Sequence, residues 1–199
     1  MNIYLLRHGQ TEENRKGTYY GNLDVGLNEI GISQGNKAKK FFNNIKLDKV
    51  YISDKKRTLE MATLVLGQEK IEGEIKIIQD NRISETNFGD FEGKTYEEIQ
   101  KHYPKECMCW QNNWKEFVPP NGESYINLYE RVKSFMEDIK KIQYDNVLIC
   151  THSGVIRAMY CYIMNENIDL FWKFGSKNGD ISLIKYEYGN LYIDSITHV

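Results

Sequence analysis

Two short apolar runs in this chain end in the same way, and that repetition constrains the fold more than any other feature. Ile3-Tyr4-Leu5-Leu6 stops abruptly at Arg7-His8-Gly9, and Val147-Leu148-Ile149-Cys150-Thr151 stops at His152-Ser153-Gly154. Runs of this length and character suit strands buried on both faces of a parallel sheet. A Gly straight after such a run permits a tight turn and close backbone approach to a ligand. In an open α/β sheet, ligands bind beyond the carboxyl ends of the strands. If the two strands are parallel neighbours, His8, His152 and Arg7 share one edge of the sheet. A lone strand-end His is more often a hydrogen-bonded structural residue, but two of them beside an Arg point to a site. The helix opening after Gly154 would add backbone donors for an anion.

Phosphate chemistry suits this set. Arg presents a planar fork of donors matched to phosphate oxygens and is always charged. A neutral His has a free ring nitrogen that can attack phosphorus and split one hard step into two easier ones.

The rest of the chain reads as strand-helix alternation. A polar, aromatic loop from Arg15 to Leu27 contains Gly17, Gly21 and Gly26, and Asn28 caps a helix through Ile30, Ala38, Phe41 and Phe42, weakened by Gly31 and Gly35. Val50-Tyr51-Ile52 is a second strand; Ser53 is the expected N-cap of a helix with Leu59, Ala62 and Leu66 on one face and Gly67 as its C-cap. Arg57 sits in that helix's first turn and, on local grounds, reads as an ordinary exposed Arg. Ile75 to Ile78 is a third strand. The loop Asp80 to Gly93 holds several acids, and spacing does not say which one matters. Thr95-Tyr96-Glu97-Glu98 is a capping-box pattern. Trp110, Trp114 and Phe117, spaced by four and three, suggest a packed helix face. Tyr125, Leu128, Val132, Phe135 and Ile139 mark a long amphipathic helix. Gly189-Asn190 between two apolar runs signals a terminal hairpin.

These elements predict a single α/β domain over 1–199, a three-layer α/β/α sandwich around a mostly parallel sheet, with a helical lid-like insertion around 95–145. At 199 residues the chain is long enough for a sizeable core. A net charge of -2, from 26 basic and 28 acidic residues, gives no footprint for nucleic acid or a membrane surface. No apolar run reaches a membrane span, and Met1-Asn2-Ile3 runs straight into the first strand without a signal-peptide pattern, so a cytoplasmic protein is expected. Cys107, Cys109, Cys150 and Cys161 lack a usual zinc spacing and read as free thiols. Sequence leaves monomer and homodimer both open.

Four segments, in order and spanning nearly the whole chain, resemble the histidine phosphatase superfamily, also called phosphoglycerate mutase-like. They are Leu6-Arg7-His8-Gly9-Gln10-Thr11-Glu12-Glu13-Asn14, Ser53 to Ala62, Glu85 to Gly93, and Thr151-His152-Ser153-Gly154-Val155-Ile156-Arg157. Phe88-Gly89-Asp90-Phe91-Glu92-Gly93-Lys94-Thr95-Tyr96 and Pro120-Asn121-Gly122-Glu123-Ser124 look most like the α-ribazole phosphatases of cobalamin synthesis. The resemblance implies that His8 is the nucleophile. Arg7, Arg57 and His152 would surround the phosphoryl group, and Asn14 would be a further donor. Glu85 would be the general acid. Tyr20, Gly21 and Ser153 would also contact a small-molecule phosphate monoester. No cofactor or metal is implied. Lys55, Met61, Gly26 and Tyr20 depart from the family pattern, and Tyr20 stands where a phosphate-contacting Gln is frequent. The alternatives are a cofactor-dependent phosphoglycerate mutase, which typically has a longer chain, and a non-catalytic module that binds phosphate esters. A two-histidine metal site lacks an obvious third ligand.

Overall fold

The computed structural model describes residues 1–67 and 75–199. The first strand, β1 (Asn2–Arg7), lies in the middle of a six-stranded sheet. Its parallel neighbour is β4 (Asn146–Thr151), beyond which run β2 (Lys49–Ile52) and β3 (Ile77–Gln79), also parallel. On its other side β5 (Ile181–Glu187) runs antiparallel to β1, and β6 (Asn190–Thr197) runs antiparallel to β5. The sheet is therefore mostly parallel with an antiparallel hairpin along one edge.

The helices are α1 (Glu12–Lys16), α2 (Glu29–Phe42), α3 (Lys56–Leu66), α4 (Tyr96–His102), α5 (Pro104–Asn112), α6 (Tyr125–Ile139) and α7 (Ser153–Ile163). Among the described residues, no helix is long and apolar enough to cross a membrane.

Alternation along the central strands makes the three layers. Successive side chains of a strand point to opposite faces. Ile3, Leu5, Val147 and Ile149 face a core completed by Leu128, Val132 and Phe135 of α6 and Val155, Ile156 and Met159 of α7. Tyr4, Leu6, Leu148 and Cys150 face the other core, with Ala38 and Phe42 of α2 and Met61, Ala62 and Val65 of α3. Both strands are thus apolar throughout because both faces are covered. Each such side chain, once fully buried, contributes about 1.5–3 kcal/mol from water exclusion.

Register positions the site. Arg7 pairs with Thr151, so β1 and β4 end level with each other. The His8 amide then donates to the Thr151 carbonyl at 3.0 Å. The two histidines that follow the strands are side by side.

Several local expectations hold: Asn28 caps α2 by accepting from the Gly31 amide at 2.9 Å, Gly67 ends α3, and Thr95 with Glu98 forms the capping box of α4. Gly31 also has a packing reason. A Cβ there would stand 2.2 Å from the Gln10 carbonyl oxygen, so only glycine lets α2 lie against the turn after His8.

Others need correction. The N-cap of α3 is Lys55, not Ser53, and no side chain caps it. Its buried stripe runs through Thr58, Met61, Ala62 and Val65, spaced by three and four, which leaves Leu59 exposed. Arg57, expected at the surface on local grounds, is fully buried. Trp110, Trp114 and Phe117 do not share one helix face, because α5 stops at Asn112 and the chain folds back. Phe117 then stacks on Trp110 with centroids 5.9 Å apart, while Trp114 meets Tyr125 and Phe171. Of the expected insertion, α6 instead belongs to the core layer, its apolar face closing one side of the sheet. The hairpin turn is Tyr188-Gly189, one residue earlier than expected; both have positive φ, 52° and 79°, and Asn190 already pairs with Glu187.

Candidate active site

The ends of β1, β2 and β4 and the loop after β3 converge at one edge of the sheet. His8 is almost fully buried. Its Nδ1 lies 2.7 Å from the Gly9 carbonyl oxygen. That oxygen can only accept, so Nδ1 carries the proton and Nε2 keeps a free lone pair. Burial, then the charges of Arg57 and Arg7, push the His8 pKa well below its ordinary value of 6.5. The ring is therefore a neutral base, poised as a nucleophile.

His152 is the N-cap of α7, and its ring centroid lies 5.1 Å from that of His8. Its Nδ1 accepts from Arg57 Nε at 3.3 Å, so Nε2 carries the proton and donates to Ser53 Oγ at 2.8 Å. Burial is again the largest cause of a pKa held well below 6.5, followed by Arg57, His8 and Arg7. Ser53 therefore fixes the ring's orientation. In sequence it read as a helix cap, because Ser before a helix is the usual cap signal; Thr58 Oγ1, 2.9 Å away, occupies its remaining side.

Arg57 reaches this point across the fold. Its Nη1 and Nη2 donate to the carbonyls of Leu23 and Gly21, each at 2.8 Å, and its guanidinium lies 4.8 Å over the Tyr20 ring. The Glu92 carboxylate holds that loop, accepting from the amides of Gly21, Asn22, Leu23 and Phe88. Both backbone groups of Gly21 are thereby engaged in building the site. Tyr20 keeps a place in it: its hydroxyl accepts from Thr11 Oγ1 at 2.8 Å and donates to Asn14 Oδ1 at 2.9 Å. Asn14 Oδ1 also accepts from Asn178 Nδ2, which bonds the His8 carbonyl too, each at 3.1 Å. Asn178 thus ties the His8 turn to Asn14. Its signal in the sequence was only that of a polar turn before β5.

Arg7 lies between these groups and the open side. Its Nη1 donates to the Ser176 carbonyl, and its Nε is buried without a partner. Glu85 stands on the loop after β3. Its Oε1 accepts from the Thr86 amide at 2.9 Å and its Oε2 from the Gly154 amide at 3.1 Å. The Gly154 donor belongs to the first turn of α7. Arg131, paired with Glu123, grips the loop by the carbonyls of Arg82, Ser84 and Glu85.

A cleft of about 250 Å³ opens from Arg7 and Glu85 past Ser153, Gly154 and Arg157. Its outer wall is aromatic: Tyr19, Phe88, Tyr125, Phe171 and Trp172. The shape is a charged floor with an apolar mouth, which suits a small polar ester whose reacting group is anionic. Among the described residues, no cluster of His, Cys, Asp or Glu could hold a metal ion.

Comparison with known proteins places the fold and the family. Phosphoserine phosphatase 1 of Hydrogenobacter thermophilus is 32% identical over 186 residues, covering 93% of this chain and 86% of that protein. The adenosylcobalamin/α-ribazole phosphatase of Escherichia coli is 28% identical, covering 92% and 89%. The crystal structure of a putative α-ribazole-5′-P phosphatase from E. coli superposes with a TM-score of 0.93 at 25% identity, over 100% of this chain and 96% of that one. The family model of the histidine phosphatase superfamily (branch 1) matches residues 3–198, and the chain belongs to that family.

Proposed function

We propose that this protein is a phosphomonoesterase that works without a metal, through a phosphohistidine at His8. One observation supports this reading above the others: His8 offers an unprotonated Nε2 in a buried floor beside two arginines and a second neutral imidazole. Phosphoryl transfer depends on in-line positioning and on charge stabilisation of the equatorial oxygens. Arg7, Arg57 and His152 surround the phosphoryl group; the two arginines supply that charge, with Asn14 as a further donor. Nε2 of His8 forms the N–P bond while the ester P–O bond breaks. Glu85, protonated, gives its proton to the departing alkoxide. It then takes a proton from the water that cleaves the N–P bond, returning neutral His8 and inorganic phosphate.

The substrate class is a small-metabolite phosphomonoester. α-Ribazole 5′-phosphate and phosphoserine, the compounds named for the relatives, head the panel on which to measure it. The mechanistic test is direct. Mixing enzyme with ³²P-labelled ester and quenching in alkali leaves acid-labile, base-stable label on His8, and turnover of p-nitrophenyl phosphate survives EDTA. His8→Ala removes both label and turnover. Full turnover in His8→Ala, or complete loss of wild-type activity in EDTA, disproves the reading.

A further inference from the structure

Lys55 is the one buried lysine among the described residues, and it stands where this chain departs from the family pattern. A buried ammonium persists only when it is paired and hydrogen-bonded. Lys55 Nζ donates to Asp54 Oδ2 at 2.9 Å and to Asn22 Oδ1 at 3.2 Å. The other oxygen of Asp54 faces a different partner: Oδ1 accepts from Ser84 Oγ at 2.6 Å, a short, charge-assisted bond. Burial opposes the charge on Asp54, but the Ser84 hydroxyl and the Lys55 ammonium outweigh it and hold the carboxyl below its ordinary value of 3.8.

Both ends of this bridge reach the site. Asn22 lies between Gly21 and Leu23, whose carbonyls hold Arg57. Ser84 immediately precedes Glu85. Each loop also has an anchor of its own. Glu92 collects the amides of Gly21, Asn22 and Leu23, and Arg131 grips the carbonyls of Arg82, Ser84 and Glu85. Lys55 and Asp54 do something else, which is to join one loop to the other. They lie between Ser53, which orients His152, and Arg57 itself.

We propose that Lys55 and Asp54 are positioning residues: their ion pair ties the loop that holds Arg57 to the loop that carries Glu85, and so sets the distance between the phosphoryl cage and the proposed acid. The proposal rests on the phosphomonoesterase reading above and adds to it a pair that touches neither substrate nor reacting atoms. Because Glu92 and Arg131 remain, cutting the bridge loosens the two loops against each other without releasing either.

Phenyl phosphate and p-nitrophenyl phosphate test it, because phenoxide needs a proton to leave far more than p-nitrophenoxide does. The reading is kcat/KM, which covers the step in which the alcohol departs. A misplacement of about 1 Å costs up to roughly 100-fold. With both anchors in place, Asp54→Ala loses about tenfold on phenyl phosphate and less than about threefold on p-nitrophenyl phosphate. Asp54→Asn recovers part of the loss, since its amide oxygen still accepts from Ser84. Lys55→Met shows the same selectivity, and Lys55→Met with Asp54→Ala loses no more than Asp54→Ala alone, as expected of two residues in one bridge. Ser84→Ala removes only a hydroxyl at the far end and reproduces Asp54→Ala, so the test stands even if Lys55→Met does not fold. Equal loss on the two esters marks a structural role and overturns the proposal. So does an additive double variant, or unchanged kinetics in Asp54→Ala and Ser84→Ala. Failure of the underlying reading looks different: there, His8→Ala itself keeps its turnover of p-nitrophenyl phosphate.

Discussion

The floor, a layer beneath the cleft in which His8 is almost fully buried and His152 and Arg57 fully so, and the cleft's mouth are built on opposite plans. On the floor, both nitrogens of His152 are engaged, by Arg57 and Ser53, and Nδ1 of His8 is held by Gly9, which leaves one ring nitrogen free. Asn14 Oδ1, Tyr20 Oη and Asn178 Nδ2 are likewise joined to one another. At the mouth, the aromatic wall contributes surface without direction, and Arg157 lacks a hydrogen-bond partner among the described residues. The contrast follows from what each end has to do. A transition state gains most from groups that need no rearrangement when charge develops. Recognition of a ligand's remote end gains most from donors that are unsatisfied until the ligand binds.

Glu85 lies on the border between the two regions, and Gly154 is the place to separate them. A Cβ at position 154 would stand 2.3 Å from Glu85 Oε1, with its next contact at 3.3 Å, also on Glu85. The carboxylate is the free end of a side chain, so Gly154→Ala displaces the proposed acid and leaves the fold in place. General acid catalysis contributes about 10²–10⁴-fold where the leaving group needs a proton. The expected result is a loss of roughly 100-fold in kcat on alkyl phosphates, with a loss of less than about tenfold on p-nitrophenyl phosphate, whose oxide departs unaided. Thermal stability changes little. Equal loss on both esters would show that the acid is not what moved.

The floor's second property is that it is short of negative charge, and pH reveals it. Both histidines are buried and held neutral, with pKa values depressed below the 6.5 of the unfolded chain. Between the depressed value and 6.5 the unfolded chain binds more protons than the native one, so stability rises with pH there and falls as pH drops below 6.5. The limiting slope is about 1.4 kcal/mol per pH unit for each histidine. The melting temperature should drop from pH 7.5 to pH 5.5, and inorganic phosphate should recover part of the loss, because an anion on the floor favours the charged rings. A melting temperature that is flat over this range, or a recovery no larger than that produced by chloride of equal ionic strength, contradicts a buried cationic floor.

How much of this was legible follows the same division. His8 and His152 announced themselves because each ends a buried strand, and the register of β1 against β4 then had to bring them together. The two-faced apolar pattern gave the layers. Arg57 was locally indistinguishable from a surface residue, because its burial depends on carbonyls at positions 21 and 23 that only the folded loop supplies. Glu92, one acid among several in its loop, acquires its place by collecting four amides from two segments. Arg157 lay within a recognised segment, but the absence of partners cannot be seen in a sequence. Interactions that follow the chain are readable from it; those that cross it are not.

Ser53 is the mildest case and the sharpest control on the comparison, since it touches the floor only through His152. Ser53→Ala leaves the His152 Nε2–H buried without an acceptor, a cost of about 1–3 kcal/mol in stability. The ring still accepts from Arg57, so its position is loosened and not lost. The expected loss in kcat is about tenfold, near 1.4 kcal/mol of transition-state stabilisation. The loss should be the same for alkyl and aryl esters, because the phosphoryl group is common to both and the leaving group never meets Ser53. A leaving-group dependence like that of Gly154→Ala would mean that His152 serves the departing oxygen. The division of labour between floor and mouth would then be wrong at its centre.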